Sequence, residues 1–179
     1  MDSRRRFMLS GGTALAVAAA LSQWRTLASA AGSDAGKAMS GAASGPAEQF
    51  EVVHTEAQWR QLLNASQYEV LRNEGTERPF TSPLNDEHRT GVFACAGCNQ
   101  SLFDSHTKFD SGTGWPSFYA PLAHAVTTHM DTSFGMVRSE VHCHRCGGHL
   151  GHVFDDGPKP TGLRYCMNGV AMNFKPGAA

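Results

Sequence analysis

Four of the five cysteines in this 179-residue chain form two Cys-x-x-Cys pairs, Cys95-Ala96-Gly97-Cys98 and Cys143-His144-Arg145-Cys146, with 44 residues between the inner members. A two-residue gap lets both sulfurs of a pair reach one ion, and Gly97 is expected to ease the first turn. Two such pairs complete a tetrahedral shell of four thiolates, the donor set of a structural zinc. A closed shell has no position for a water, so this metal would clamp two distant segments of a small domain rather than react. The same four residues are also compatible with two disulfides or with one redox-active pair, and an oxidising compartment favours the disulfides. His142 and His144 stand close enough to compete as ligands, but beside a complete cysteine set they are expected to face solvent.

The fifth cysteine, Cys166, lies in Gly162-Leu163-Arg164-Tyr165-Cys166-Met167-Asn168. In a strand, alternate residues share a face. Leu163, Tyr165 and Met167 then point to the core, and Arg164, Cys166 and Asn168 point together to the other side. A guanidinium two residues from a thiol favours the thiolate, the nucleophilic form, and Asn168 can donate a hydrogen bond to the same place. An inert buried thiol is the competing reading, because free cysteine packs like a small hydrophobe. Upstream, His149 and His152 precede the acids Asp155 and Asp156, across a turn marked by Asp156-Gly157-Pro158. Two histidines three apart can bind a metal on a helix, but Gly151 and Val153 argue against a helix here; as general acids near neutral pH they suit proton delivery. In Asp110–Phe118, glycines flank Trp115, which precedes a proline and is held extended. That indole reads either as a core side chain or as an apolar lid over a small group.

Elements must bring these segments together. Thr55 with Gln58 three residues on, and Trp59, Leu62 and Leu63 on one face, predict a short helix over 55–63. Ser66–Arg72 predicts a second, stopped near Gly75. Beyond Pro83 the chain breaks into short apolar runs between Gly, Asp and Pro clusters: Gly91–Ala94, Ser101–Phe103, Met136–Val141, Leu150–Phe154, Leu163–Met167 and Val170–Phe174. Their lengths suit strands. Two small helices followed by six to eight strands predict a mostly β (α+β) domain with an antiparallel core.

The first thirty residues read as an address. A basic cluster, a weakly apolar run from Thr13 to Leu21, and Ala28-Ser29-Ala30 have the order of a secretory signal, and Ser3-Arg4-Arg5-Arg6-Phe7 resembles the twin-arginine export signal. The apolar run is too short to span a bilayer. Export to a bacterial periplasm is therefore expected, with residues 1–30 as the signal, 31–47 as an Ala/Gly/Ser linker, 48–175 as the domain and 176–179 as a tail. The whole chain has 15 basic and 16 acidic residues, and cleavage after Ala30 leaves 11 and 15. A net charge of −4 argues against a nucleic-acid surface. Five cysteines are too few for a disulfide-dense scaffold.

Taken jointly, Arg89–Cys98, Phe109–Phe118, Val141–Cys146, His149–Pro158 and Leu163–Phe174 resemble the B-type peptide methionine sulfoxide reductases. The resemblance implies two antiparallel β-sheets with short N-terminal helices, and a structural zinc on Cys95, Cys98, Cys143 and Cys146. It implies reduction of the R epimer of methionine sulfoxide in oxidised proteins or peptides. It further implies Cys166 as the nucleophile flanked by Arg164 and Asn168, His149 and His152 on the sulfoxide oxygen, and Trp115 and Phe154 against the substrate. Many members carry a resolving cysteine at the position of Thr113. Here that residue is a threonine, so a one-cysteine cycle is expected: Cys166 becomes a sulfenic acid, reduced by an external, thioredoxin-like or other, thiol. A monomer is expected. The competing function classes are a non-enzymatic zinc module that binds a peptide or nucleic acid, and a thiol oxidoreductase that uses Cys143 and Cys146.

Overall fold

Both helices begin with reciprocal caps. In α1 (Glu56–Leu62), the Thr55 hydroxyl accepts from the Gln58 amide while Gln58 Oε1 accepts from the Thr55 amide. In α2 (Ala65–Asn73), Asn64 and Gln67 repeat the arrangement. Each box satisfies two amides that a helix start leaves orphaned. Helix α2 ends at Glu74 in the left-handed conformation, one residue before the expected Gly75. Trp59, Tyr68, Val70 and Leu71 are the buried face of the pair.

This is a computed structural model, and it describes residues 49–177; the signal expected over 1–30 and the linker over 31–47 lie outside the described residues. Among the described residues nine strands follow the helices: β1 (Gly91–Cys95), β2 (Ser101–Asp104), β3 (Lys108–Phe109), β4 (Ser117–Phe118), β5 (Val126–Asp131), β6 (Arg138–Cys143), β7 (His149–Phe154), β8 (Arg164–Met167) and β9 (Met172–Pro176). Six to eight were expected. The additions are the two-residue β3 and β4, too short to carry periodicity, and β5, whose Thr-Thr-His-Met has no apolar run. Strand β9 starts later than expected, because Gly169–Ala171 is a 3₁₀ turn. The strands form two antiparallel sheets, ordered β2-β1-β9 and β3-β4-β8-β7-β6-β5.

Phenylalanines join the sheets. Phe93 of β1 and Phe103 of β2 are cross-strand partners in the small sheet, and Phe118 of β4 comes from the large one. Phe118 stacks on Phe103 at 4.3 Å between centroids and meets Phe93 edge-on at 4.9 Å, and all three are fully buried. Leu102, Val141, Leu150 and Met167 complete this core. Offset and edge-on aromatic pairs contribute beyond the apolar area they bury. Phe118→Ala should therefore destabilise the domain by about 3–5 kcal/mol, read from the denaturant midpoint.

Candidate functional site

Sheet geometry explains how residues distant in sequence meet. Strand alternation alone would send His149 and His152, three apart, to opposite faces of β7. The register corrects this: Glu140 of β6 pairs with His152, Val141 with Gly151, then His142 with His149, so Leu150 is an extra residue on β7. This bulge returns His149 to the face of His152 and sends Leu150 wholly into the core. Across the next ladder His152 pairs with Cys166 of β8, and Cys166 pairs with Ser117 of β4. One face of the large sheet thus carries Ser117, Cys166, His152 and Glu140 in a row. A second row holds Arg164, Phe154 and, through the β5–β6 register, Arg138 and Asp131. Tyr165 and Met167 lie on the core side, as expected; Leu163 precedes the strand and is only partly buried.

Gly151 keeps β7 against β8. A Cβ there would stand 2.2 Å from the Cys166 carbonyl oxygen. Gly114, before Trp115, has φ 92°, and a side chain would meet the Phe80 backbone at 2.8 Å. Its carbonyl accepts from the Phe80 amide at 2.7 Å and from Asn85 Nδ2 at 3.0 Å, which fixes the loop that carries the indole.

Cys166 is half-buried and opens on a cavity of about 220 Å³ lined by Thr76, Trp115, Arg138, His152, Phe154 and Asn168. This is below the ~300 Å³ at which sites for drug-sized ligands begin, and it suits a single side-chain group. A larger cavity of about 790 Å³, between α2 and the Gly169–Phe174 segment, has neither cysteine nor histidine in its lining, so the chemistry belongs to the smaller one.

Each charged group around the cavity is held by a partner. His152 Nε2 lies 2.9 Å from Asp131 Oδ2, which also accepts from Arg138 at 2.6 Å. Hydrogen bonds from Ser133, then from His152 and Arg138, hold the Asp131 carboxyl well below the usual carboxylate range. His149 is nearly fully buried, with Nδ1 on Glu140 and no protein partner at Nε2. Burial pushes its pKa down against the opposing pull of Glu140, so it is neutral at pH 7. Burial alone would raise Glu140, but the bonds from His142 and His149 outweigh it and leave the carboxyl ionised. His149 does not line the cavity; it stands behind His152, 5.6 Å away between ring centroids. The Arg164 guanidinium is clamped by both oxygens of Asp156 at 2.8 Å and lies over the Phe154 ring at 4.3 Å. The Asp156 hydrogen bond, with the Cys166 sulfur as a further electrostatic partner, raises its pKa.

Three expectations need correction. The Asn168 Nδ2 bond runs to the Leu150 carbonyl, not to the thiol, while Oδ1 accepts from the Glu77 amide; Asn168 is buried just past β8 and borders the cavity. His142 does not face solvent: it pairs with Glu140 at 2.7 Å, and only His144 is exposed. Gly97 is not the special residue of its turn. In both Cys-x-x-Cys turns the left-handed residue follows the second cysteine, Asn99 at φ 66° and Gly147 at φ 65°.

Sequence reading also missed several residues. Glu77 takes the amides of Gly169 and Val170 at 2.6 and 2.9 Å, and its carbonyl accepts Trp115 Nε1 at 3.1 Å, tying the N-terminal segment to both the indole and the end of β8. Arg138, Glu140 and His142 alternate along β6; that period of two was the available clue. Asp131 gave none, because β5 was not recognised.

The four remaining cysteines meet at the other side of the fold. Cys95 ends β1, Cys143 ends β6, and Cys98 and Cys146 lie in the turns that follow. All four are free thiols, and their sulfurs lie within 4.8 Å of one another. Cys95–Cys146 and Cys98–Cys143 are separated by 3.8 and 3.5 Å. A tetrahedral shell with Zn–S near ~2.3 Å has S···S edges of about 3.8 Å, so the arrangement fits one ion that joins the two sheets.

Residues 63–176 match the SelR domain. A protein named peptide methionine sulfoxide reductase MsrB from Pseudomonas putida (strain W619) is 58% identical over 120 residues, 66% of this chain and 90% of the relative. The same name is borne by relatives from Agrobacterium fabrum, 54% identical over 127 residues (70% and 94%), and from Thiobacillus denitrificans, 57% over 123 residues (68% and 93%). The chain belongs to the SelR family, the family of the MsrB peptide methionine sulfoxide reductases. Because Gly151 brings β7 against the Cys166 carbonyl, Gly151→Ala should separate the histidines from the sulfur and lower methionine sulfoxide turnover about a hundredfold while metal content and fold persist. Turnover, metal analysis and circular dichroism check this.

Proposed function

We propose that the domain over 48–175 reduces the R epimer of methionine sulfoxide in oxidised proteins or peptides, through a Cys166 sulfenic acid that an external thiol reduces. Family membership supports methionine sulfoxide reduction in general. The observation that carries the finer reading is a half-buried thiol opening on a small cavity walled by Trp115 and Phe154, with the Asp131-paired imidazole of His152 on the same sheet face.

The chemistry follows from those groups. A sulfoxide sulfur is a poor electrophile until its oxygen is protonated or strongly hydrogen-bonded. His152, paired with Asp131, is the group that borders the cavity and supplies that proton; neutral His149 supports it from behind. The Cys166 thiolate attacks the sulfoxide sulfur; within that adduct the oxygen passes to the cysteine sulfur, the methionine S–O bond and the transient S–S bond break, and methionine leaves as the thioether with Cys166 as the sulfenic acid. An external thiol then forms a mixed disulfide and releases water, and a second thiolate restores Cys166. Among the described residues the other four cysteines cluster together, so none is offered to Cys166 as a resolving partner. The apolar wall of Trp115 and Phe154 takes the methyl group, which leaves only one epimer with its oxygen toward His152.

We further propose zinc as the ion of the four-cysteine site, and export by the twin-arginine route, supported by Ser3–Phe7 and Ala28–Ala30. A thiol oxidoreductase working through Cys143 and Cys146 is disfavoured by the pairing of each with a cysteine of the other turn.

With dithiothreitol as reductant, the wild-type protein should consume the R and leave the S epimer of a methionine sulfoxide peptide, and Cys166→Ser should be inactive. S consumption, or turnover by the variant, overturns the reading. Elemental analysis should find one zinc per chain, and stripping it under denaturing chelation should abolish refolding to the native melting profile.

A further inference from the structure

A line of hydroxyls runs from the reactive sulfur into the protein. Thr113 Oγ1 lies 3.7 Å from Cys166 Sγ, Ser111 Oγ 2.8 Å from Thr113 Oγ1, and Ser117 Oγ 2.7 Å from Ser111 Oγ. Ser117 ends the line by donating to the Trp115 carbonyl oxygen at 3.1 Å, and it is fully buried. A hydroxyl has one hydrogen to give and can accept as well, whereas a carbonyl only accepts. The Trp115 carbonyl therefore sets the direction when Cys166 is a thiol: S–H donates to Thr113, Thr113 to Ser111, Ser111 to Ser117, and Ser117 to the carbonyl.

We infer that Thr113 is a further catalytic residue, whose hydroxyl donates to the Cys166 thiolate by reversal of this hydroxyl line. The inference rests on Cys166 as the attacking sulfur. When the thiol gives its proton to solvent, the sulfur becomes an acceptor and the old direction leaves Thr113 facing it without a hydrogen. Rotation of three hydroxyls restores the three contacts from Ser117 to the sulfur: Ser117 donates to Ser111, Ser111 to Thr113, and Thr113 to sulfur. No bond between heavy atoms forms or breaks, and no proton changes its oxygen. The reversal gives up only the Ser117–Trp115 bond, the longest of the oxygen–oxygen contacts. Burial of Ser117 denies water the last position in the line, so the hydroxyls respond together rather than one by one.

Two polar neighbours of the sulfur are engaged elsewhere: Asn168 Nδ2 bonds the Leu150 carbonyl, and His152 Nε2 is paired with Asp131. Arg164, held by both oxygens of Asp156, keeps further N–H groups and acts on the Cys166 sulfur as a charge partner, so the Thr113 hydroxyl adds to the guanidinium rather than replacing it. Ser111 is itself fixed from two sides, because its Oγ also accepts from the Thr113 amide at 3.5 Å.

The test is the rate of Cys166 alkylation by iodoacetamide, followed by peptide-resolved mass spectrometry on the full-length protein, which needs no sulfoxide. Thr113→Val keeps the shape and removes the hydroxyl. It should slow alkylation at pH 7 about tenfold, the scale of a hydrogen bond to a charged group. Thr113→Ser should restore the wild-type rate within about twofold, and Ser111→Ala should slow it by less than Thr113→Val. Should Thr113→Val lose its metal or melt early, Thr113→Ala replaces it. An unchanged rate at pH 7 in the valine variant, or equal slowing by serine and valine, overturns the inference. A wild-type protein that fails to reduce methionine sulfoxide overturns the functional reading instead.

Discussion

The two-residue period of a β-strand is the constraint on which the rest of this molecule depends. Neighbouring residues in a strand cannot share a face, and a site assembled from three strands must have all of its members in phase. Within the large sheet, β8, β7 and β6 are kept in phase through Cys166, His152 and Glu140, and a single extra residue, Leu150, brings His149 back into phase with them. The same extra residue fills the core, so the irregularity is held in place by apolar burial rather than by the site it serves. Gly151 completes the device by letting the irregular strand lie close to the backbone of Cys166.

A consequence of this phase is that the sheet keeps two kinds of cysteine apart. Cys143 follows Val141 on the core side of β6, while Glu140 and His142 turn the other way. Cys166 lies on the face of Glu140, with Tyr165 and Met167 beneath it. Cys143 and Cys166 therefore lie on opposite faces of the large sheet, and a layer of Leu150, Met167 and Val141 lies within the core beneath it. The aromatic cluster of Phe93, Phe103 and Phe118 fastens the other end of that layer. Ser117 and Phe118, adjacent in a strand of two residues, divide the same way: one reaches toward the sulfur and the other toward the core.

How much of this was legible in the sequence depended on how local the cause was. The caps at Thr55 and Asn64 act over three residues; the first was read directly, and the second helix was recognised with its start slightly late. The cysteine pairs were legible because metal binding demands a short spacing. Cys166 with Arg164 was legible from alternation, which also placed Tyr165 and Met167. Strand pairing is not local, and what depended on it was lost. Asp131, Arg138 and Glu140 acquire meaning only once β5, β6 and β7 lie side by side. Asn168 was assigned to the strand face because nothing in the sequence shows that the chain turns at Gly169. Glu77 serves the indole and the Gly169 turn across 38 and 92 residues, with no motif to announce it. Glycine at position 97 drew attention that belonged to Asn99, since the identity of a residue reveals its freedom and not its use.

The small sheet runs β2-β1-β9, so its first strand waits for the last, and Gly91 pairs with Pro176. On a ribosome that issues the chain from its N-terminus, the two cysteine turns are complete at residue 147, before β8 has been made. Sheet closure, and with it the seat of the Gly169 turn on Glu77, follows only when the final strand emerges. Long-range pairing of this kind is slow relative to local helix formation. The order of synthesis thus supplies the four clustered cysteines before Cys166, while Cys95 gains its strand partner Met172 only after both.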